Sequence, residues 1–384
     1  MVNLDKAAQQ WARRPEEERF WTLAAARKYL QKRQGNGEVE TTRKLSAFAD
    51  ENTVYLKSEN GINYTMNHWS FGQVANLAGA PASFLRRLPA NLAANSLDHV
   101  LGKRPQQTML LGGHDDAEGR RILRAATGPK YTRIWDERVV GHCEGLQEGG
   151  WRVPPGRPPG GYTGHTRIAT DADCLSGGVS HPTLGIRPGM EIAPSGLYAS
   201  DQDCFVFMVD MNVAVSSPSG PLYRGFFYEN SEVGCSSLRV TMFLFNAVCG
   251  NHIVWGAKQV DQFEARHAGR KIHEFEAEST TLIRRYHDMQ ALGQEADIQR
   301  LVSARIADSR PAVIKLLSDK SIGTTPVVES AYEAAAGSED IYHASPMSPW
   351  GMIQGLTEIA QTREYASQRT AIERAAGKLV DMYV

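Results

Sequence analysis

Between residues 120 and 138 the chain carries Arg120, Arg121, Arg124, Lys130, Arg133 and Arg138, interleaved with Tyr131 and Trp135. Single-stranded nucleic acid calls for this pairing, because cations follow the phosphates while aromatic faces stack bases at roughly 1–3 kcal/mol each. Arg86, Arg87, Lys103 and Arg104 lie upstream and extend the same reading. A solvated helix-and-hairpin surface with a buried Trp accounts for these residues without any ligand.

A second group sits at Asn230-Ser231-Glu232-Val233-Gly234. Asn or Ser can cap a local turn there, and Gly permits a positive φ angle. The chemical alternative makes Glu232 a ligand for a metal or a phosphate-bound water beside Asp210 or Asp203, although no second spaced carboxylate accompanies it. Cys249 and His252 have the spacing of half a zinc site. The other half would have to come through the fold from Cys174, His165, His181 or Cys204, and a turn with an ordinary core cysteine explains the pair more simply. No metal site and no cofactor are therefore expected. A Cys-His nucleophile is not marked either, since His142 and Cys143 are helix neighbours that point apart. No GxxxxGK[ST] or GxSxG pattern occurs, and the glycines of 177–189 lack the strand and following helix of a dinucleotide fingerprint.

The elements that must position these groups follow from patterning. Pro15, Glu16, Glu17 and Glu18 open a helix predicted over 15–33, with Phe20, Leu23, Ala24 and Leu30 as its apolar stripe. Two β-leaning runs flank Asn60-Gly61 in 52–66, a hairpin signal. Ser70 and Gln73 have capping-box spacing, and Gly79 with Pro81 ends one helix and begins the next, giving a helical unit to about residue 102. A second hairpin is predicted from 106–112 and 120–127, then a helix over 136–147 with Asp136 as N-cap. Four prolines and six glycines in 149–166 read as a linker or mobile loop. In 203–215, Phe205, Phe207, Val209, Met211, Val213 and Val215 alternate as one strand face. Two more β-rich runs follow, and from about 274 the period becomes helical, with a final helix near 350–380.

Composition bounds the rest. With 42% hydrophobic and 22% charged residues the chain should fold, and its net charge of -1 leaves no global field to draw it to nucleic acid or lipid. No segment approaches 18 consecutive apolar residues and the N-terminus has no signal-peptide core, so no membrane partner and a cytoplasmic location are expected. Five cysteines, odd in number and without a CxxC pair, point to free thiols, and Cys143 and Cys249 are expected to be buried.

Three stretches together resemble the phage/plasmid-like proteins known as the domain of unknown function 932 family. They are RAATGPKYTRIWDERV (124–139), NSEVGCSSLRVTMFLFNAVCGNHIVWG (230–256) and WGMIQGLTEIAQTREYASQRTAIERAAGKLV (350–380). The second is the most specific, and the resemblance marks Asn230, Ser231, Glu232, Gly234, Cys249 and Asn251 as family-motif positions. His252 stands where the pattern has Gly, and Gln361-Thr362 replaces its Asp-His pair. The resemblance implies a mobile-element origin and carries over no activity.

The sequence thus predicts an α+β protein with a mainly antiparallel central sheet, a helical N-terminal segment and a helical C-terminal region. The expected organisation is an α+β region with a basic patch (1–148), a linker or loop (149–166), a β-rich centre (167–270) and a helical region (271–384). The expected function is that of a mobile-element accessory protein binding or annealing single strands in recombination or replication. Single-stranded nucleic acid and further copies of the chain are the expected partners. A metal-assisted enzyme using Glu232, Cys249 or His252, and a structural or host-interaction protein, stay open as alternatives.

Overall fold

The computed structural model describes residues 16–384 apart from 51, 104, 117, 154, 157–163, 172, 174–187, 195, 247–250, 255–262, 270, 290 and 362–365. It is α+β, with mostly antiparallel sheets and helices at both ends.

The first helix is shorter than its acidic start suggests. Glu16–Glu18 form a separate 3-10 turn, and α1 (Leu23–Gly35) begins only after Thr22, whose hydroxyl accepts the Ala25 N–H at 3.1 Å. Its buried stripe is Leu23, Ala26 and Leu30, while Ala24 is exposed. The strands β1 (Glu38–Thr42), β2 (Leu45–Asp50), β3 (Thr53–Ser58), β4 (Asn63–Met66), β5 (Thr108–Asp115) and β6 (Arg121–Thr127) make a six-stranded sheet ordered β1-β5-β6-β4-β3-β2. Both expected hairpins are there, β3–β4 around Asn60-Gly61 and β5–β6. Among the described residues only β4 and β6 pair in parallel in this sheet.

β1 and β2 are joined by Arg43 and Lys44 alone, yet they occupy opposite edges of this sheet. Six flat strands would span roughly 24 Å, whereas that link reaches about 11 Å at most. The sheet must therefore curl until its edges approach. Glu40 of β1 fastens the curl by accepting hydrogen bonds from Asn60 and Tyr64, both at 2.7 Å. The exposed edge is guarded by Asp98, whose carboxylate takes the Ala47 N–H of β2 at 3.0 Å.

The helices α2 (His68–Leu77), α3 (Ala82–Leu85) and α4 (Ala90–Lys103), the last carrying Asp98, cover one face of this sheet through Val74, Leu85, Leu97 and Leu101. Ser70 is not the cap of α2. Asn67 is, accepting the Ser70 N–H at 2.8 Å, and Gln73 is thereby released to reach across the molecule.

After α5 (Asp136–Leu146), the chain enters a second sheet. Its path is β11 (Leu197–Ala199), β12 (Cys204–Val215), β13 (Leu222–Asn230), β14 (Leu238–Asn246) and β15 (Asn251–Val254). β7 (Trp151–Arg152) adds to β12, and β16 (Phe263–Ala265) to β14. The Pro/Gly-rich stretch thus starts inside sheets: β8 (Pro155–Gly156), β10 (Glu191–Pro194) and β9 (Arg167–Ile168) form a small third one. Its centre, 157–163, lies outside the described residues.

Along β12 the strict alternation ends at a register shift between Asp210 and Ala214. Phe205, Phe207 and Val209 share a cluster with Tyr223, Phe227 and Phe243, but Val215 packs with Leu222 and the C-terminal helices. The opposite face, Val206 and Met208, is apolar and packs with α1 and α5, so this strand is buried on both sides.

The C-terminal region holds α6 (Phe275–His287), α7 (Ala291–Ser303), α8 (Arg310–Asp319), α9 (Thr325–Gly337), α10 (Glu339–Tyr342), α11 (Pro349–Gln361) and α12 (Ala366–Tyr383). The expected terminal helix is two helices, α11 and α12. Gly355 lets α11 cross α9 so closely that an added Cβ would collide with the Ala331 carbonyl group, while Gly293 of α7 faces open space. The same substitution should therefore act oppositely at the two sites. Gly293→Ala is expected to raise stability by about 0.5–1 kcal/mol through helix propensity, and Gly355→Ala to lower it by about 1–3 kcal/mol through overpacking. Urea denaturation of both variants checks this, and a stabilised Gly355→Ala protein would contradict the tight crossing.

Candidate functional site

The two segments marked in the sequence, 120–138 and 230–234, come together. The turn that follows β13 lies against β6 and the start of α5, and Glu232 is at its centre, 1% exposed. One carboxylate oxygen accepts the backbone N–H of Asp136 at 3.0 Å. The other accepts Arg124 at 2.8 Å and has Arg33 of α1 at 3.3 Å. Asp136 is consequently not the N-cap of α5 but its first residue, with Trp135 before it making no side-chain cap. Glu232 does that work from 96 residues away, and its negative charge complements the positive helix end.

Asn230, Ser231, Glu232 and Gly234, the positions that the resemblance marks in this turn, each have an internal task. Asn230 donates to the Asp136 carboxylate at 2.6 Å and to the Ile134 carbonyl at 3.0 Å. The Ser231 hydroxyl donates to the Gln202 carbonyl at 2.6 Å and accepts the Cys235 N–H at 2.9 Å. Arg133 donates to the Glu232 carbonyl. The Val233 carbonyl receives both Trp69, at 3.0 Å, and the released Gln73, at 2.8 Å, while Gln73 also accepts the Ala126 N–H at 2.9 Å. Gly234 has φ +83° under the Tyr131 ring, where any side chain would be strained and crowded. Cys249 lies outside the described residues, and Asn251 begins β15 opposite Asn246.

The ionic core is tightly coupled. Arg33 bridges Asp136, at 2.6 Å, and Glu232. Burial pushes the Asp136 carboxyl up, the adjacent Glu232 charge adds to this, and the group reaches about 8 against the pull of Arg33 and Arg124. Burial acts on Glu232 in the same sense, but Arg33 and Arg124 outweigh it and hold its carboxyl below the usual range. The pair titrates as one unit. Arg124 can lie flat across the sheet because Gly113 of β5 has no side chain beneath its stem.

The basic segment is divided by the fold. Arg120 pairs with Asp116 and Glu118 and lies over Tyr55, Arg121 pairs with Glu38 and Asp115, and Arg138 is bidentate on Glu276. Arg124 is buried on Glu232, so four of the six cations face carboxylates. Lys130 is exposed, with no acidic partner among the described residues, and Arg133 lies over the rings of Tyr131 and Trp135 at 5.3 and 5.8 Å. His267 stacks on Tyr131 at 5.0 Å, and burial lowers the affinity of its imidazole for a proton.

Two further contacts are not evident in the sequence. The Gln73 amide and the Tyr131 ring flank Gly234, while Arg86 lies beside Gly72, over Phe71 at 5.3 Å, and donates to the His68 carbonyl. Arg133 with Tyr131 and Trp135, next to Lys130 in the chain, makes one basic-aromatic group, and Arg86 with Phe71 makes another on a different face of α2 from Gln73, all half-buried or exposed. Arg87, beside Arg86, is also exposed, as is Lys103 at the end of α4, whereas Arg104 lies outside the described residues.

Metal chemistry at Glu232 is disfavoured by its own partners, because two guanidinium groups and an amide already fill both oxygens and repel a cation. Asp203 accepts the Ser200 hydroxyl at 2.5 Å, and Asp210 lies against His287 at 2.8 Å. Among the described residues no three His, Cys, Asp or Glu side chains are placed to hold a metal ion. Of the half-zinc candidates, Cys204 is buried in the core and His165 is exposed beside Glu16, while Cys174 and His181 lie outside the described residues. Cys143, 0% exposed, is the buried free thiol expected, and burial raises its pKa well above the usual thiol range. No helix among the described residues is long and apolar enough to cross a membrane. Comparison with family models, curated proteins and solved structures finds no match to this chain.

A buried acid that orders four elements should be costly to neutralise. Glu232→Gln leaves Arg33 and Arg124 without their shared counter-charge and is expected to lose about 3–5 kcal/mol at pH 7. Arg121→Gln, at a half-exposed pair, should lose at most about 1 kcal/mol. Chemical denaturation of the two variants measures the contrast, and equal losses would contradict the central place given to Glu232.

Proposed function

We propose that this chain is an accessory protein of a mobile element that binds single-stranded nucleic acid at the basic-aromatic group of Lys130, Tyr131, Arg133 and Trp135, with Arg86 on Phe71 as a second contact point. The observation that carries the reading is the stacking of Arg133 on Tyr131 and Trp135 beside the exposed Lys130. That group, and Arg86 over Phe71, put cations with no carboxylate partner among the described residues next to half-exposed aromatic rings, as a strand with alternating phosphates and bases requires. The mobile-element part rests on the resemblance of 124–139, 230–256 and 350–380 described above.

The ligand would engage few charges. Arg120, Arg121 and Arg138 face carboxylates of the same chain, so phosphate contacts there must compete with those acids. The salt dependence should accordingly be shallow. The rival reading, a structural or host-interaction protein, is favoured by the internal hydrogen bonds that occupy every residue from Asn230 to Val233.

Binding of an unstructured oligonucleotide across a salt series separates the two. Arg86→Ala combined with Lys130→Ala should weaken binding and lower the slope of log affinity against log salt by about 1.4, at roughly 0.7 for each lost phosphate contact. Trp135→Ala should weaken binding with little change in slope, since stacking releases no counterion. Arg121→Ala and Arg138→Ala should leave both quantities nearly unchanged. No salt-dependent binding by the wild type would remove the nucleic-acid reading and leave the structural one.

A further inference from the structure

We propose that the turn after β16 is the second wall of the binding group at Lys130 to Trp135, and that Arg266 is a phosphate-contacting residue there. The proposal rests on the nucleic-acid reading and adds to it a contact from the second sheet. The turn is laid directly along the segment that enters α5. The Thr132 N–H donates to the His267 carbonyl at 2.7 Å, and the His267 ring nitrogen Nδ1 is 3.0 Å from the Thr132 carbonyl. A carbonyl can only accept, so Nδ1 carries the hydrogen and the ring is held in one orientation. In that orientation it stacks on Tyr131, with centroids 5.0 Å apart and planes 21° from parallel. Two hydrogen bonds and a ring contact thus join the turn to the Tyr131 segment, although 135 residues separate Thr132 from His267.

Both exposed cations of that unit sit in tight turns. Lys130 lies in the turn closed by the Tyr131 N–H on the Gly128 carbonyl at 3.0 Å, and Arg266 in the one closed by the Ala268 N–H on the Arg266 carbonyl at 2.6 Å. Exposure alternates along β16 and just beyond it, with Phe263, Ala265 and His267 buried and Glu264 and Arg266 exposed. The bond between Thr132 and His267 also bounds the spacing of their neighbours. One residue to either side of it, the Cα atoms of Arg133 and Arg266 are no more than about 14 Å apart, a gap that a short stretch of nucleotides spans between two guanidinium groups.

The charge of Arg266 is available. It has no acidic partner among the described residues, and Glu264, two residues before it, is already taken by Arg239 at 2.8 Å and by the Ser237 hydroxyl at 2.7 Å. Asp136 and Glu232, the acids that the Tyr131 segment leads into or contacts, are buried on Arg33 and Arg124. An exposed guanidinium on a fixed backbone, beside aromatic rings and a second exposed cation, is what an anionic strand with stacked bases calls for.

Binding of an oligothymidylate over a salt series tests the contact. Arg266→Ala should lower the slope of log affinity against log salt by about 0.7, as Lys130→Ala should, and the double variant by about 1.4. Arg266→Lys keeps the point charge and should keep the slope. Arg284→Ala, which removes an exposed cation on α6 outside this unit, should leave it unchanged. Salt-dependent binding that Lys130→Ala weakens and Arg266→Ala does not overturns the contact and leaves the binding reading standing. A loss of slope in Arg284→Ala as large as that in Arg266→Ala also overturns it, because charge anywhere on the surface would then suffice. No salt-dependent binding by the wild type removes the reading and the contact together.

Discussion

A carboxylate taken out of water must find donors for both oxygens or surrender its charge. Glu232 finds them in three places that the chain reaches far apart in sequence: the guanidinium of Arg33, that of Arg124, and the first N–H of α5. Those three requirements fix where α1, the curled sheet and α5 sit on the second sheet. The apolar contacts around them, Leu111, Ala125 and Val233 with Trp69 and Trp135, would tolerate sliding, but a buried charge does not. Apolar burial holds these layers together, and Glu232 sets their register.

That register explains why the group of Tyr131, Arg133 and Trp135 lies where it does. Gln73 and Trp69 reach the Val233 carbonyl only because the turn after β13 is pinned, and Tyr131 covers Gly234 for the same reason. Arg133 and Trp135 come from the segment that leads from Tyr131 into α5. An interior ion cluster thereby determines where that basic-aromatic group stands. The residues from Asn230 to Gly234 would act on any ligand only as positioning residues, through the segments they hold.

Much of the fold was legible because it is written locally. Asn60-Gly61 supplies a turn whose geometry needs no distant partner, and the apolar runs of β12, β13 and β14 are long enough to declare buried strands. Helix ends were read less well wherever the cap is remote or ambiguous. Ser70 and Asp136 both have capping chemistry, but Asn67 precedes the one and Glu232 replaces the other across 96 residues. No window of sequence contains that second cap. The closure of the first sheet was equally hidden, because the two-residue link between β1 and β2 looks like a hairpin until strand order places them on opposite edges.

The basic segment shows how charge in sequence and charge in space part company. Arg121 and Arg124 stand three apart on β6, so alternation sends them to opposite faces and different acids, Glu38 and Asp115 for the one and Glu232 for the other, while Arg120, just before the strand, meets Asp116 and Glu118. A run of cations reads as one patch only if the chain keeps them on one side, and a strand does the reverse. What survives as an available surface is set by which acids the fold brings opposite each residue. Lys130 is exposed at a turn with no acidic partner among the described residues, and Arg86, on an exposed stretch, rests its guanidinium on Phe71 and donates to the His68 carbonyl. Any recognition of an anionic strand by this chain must begin from those few positions, with aromatic contact supplying what the neutralised arginines do not.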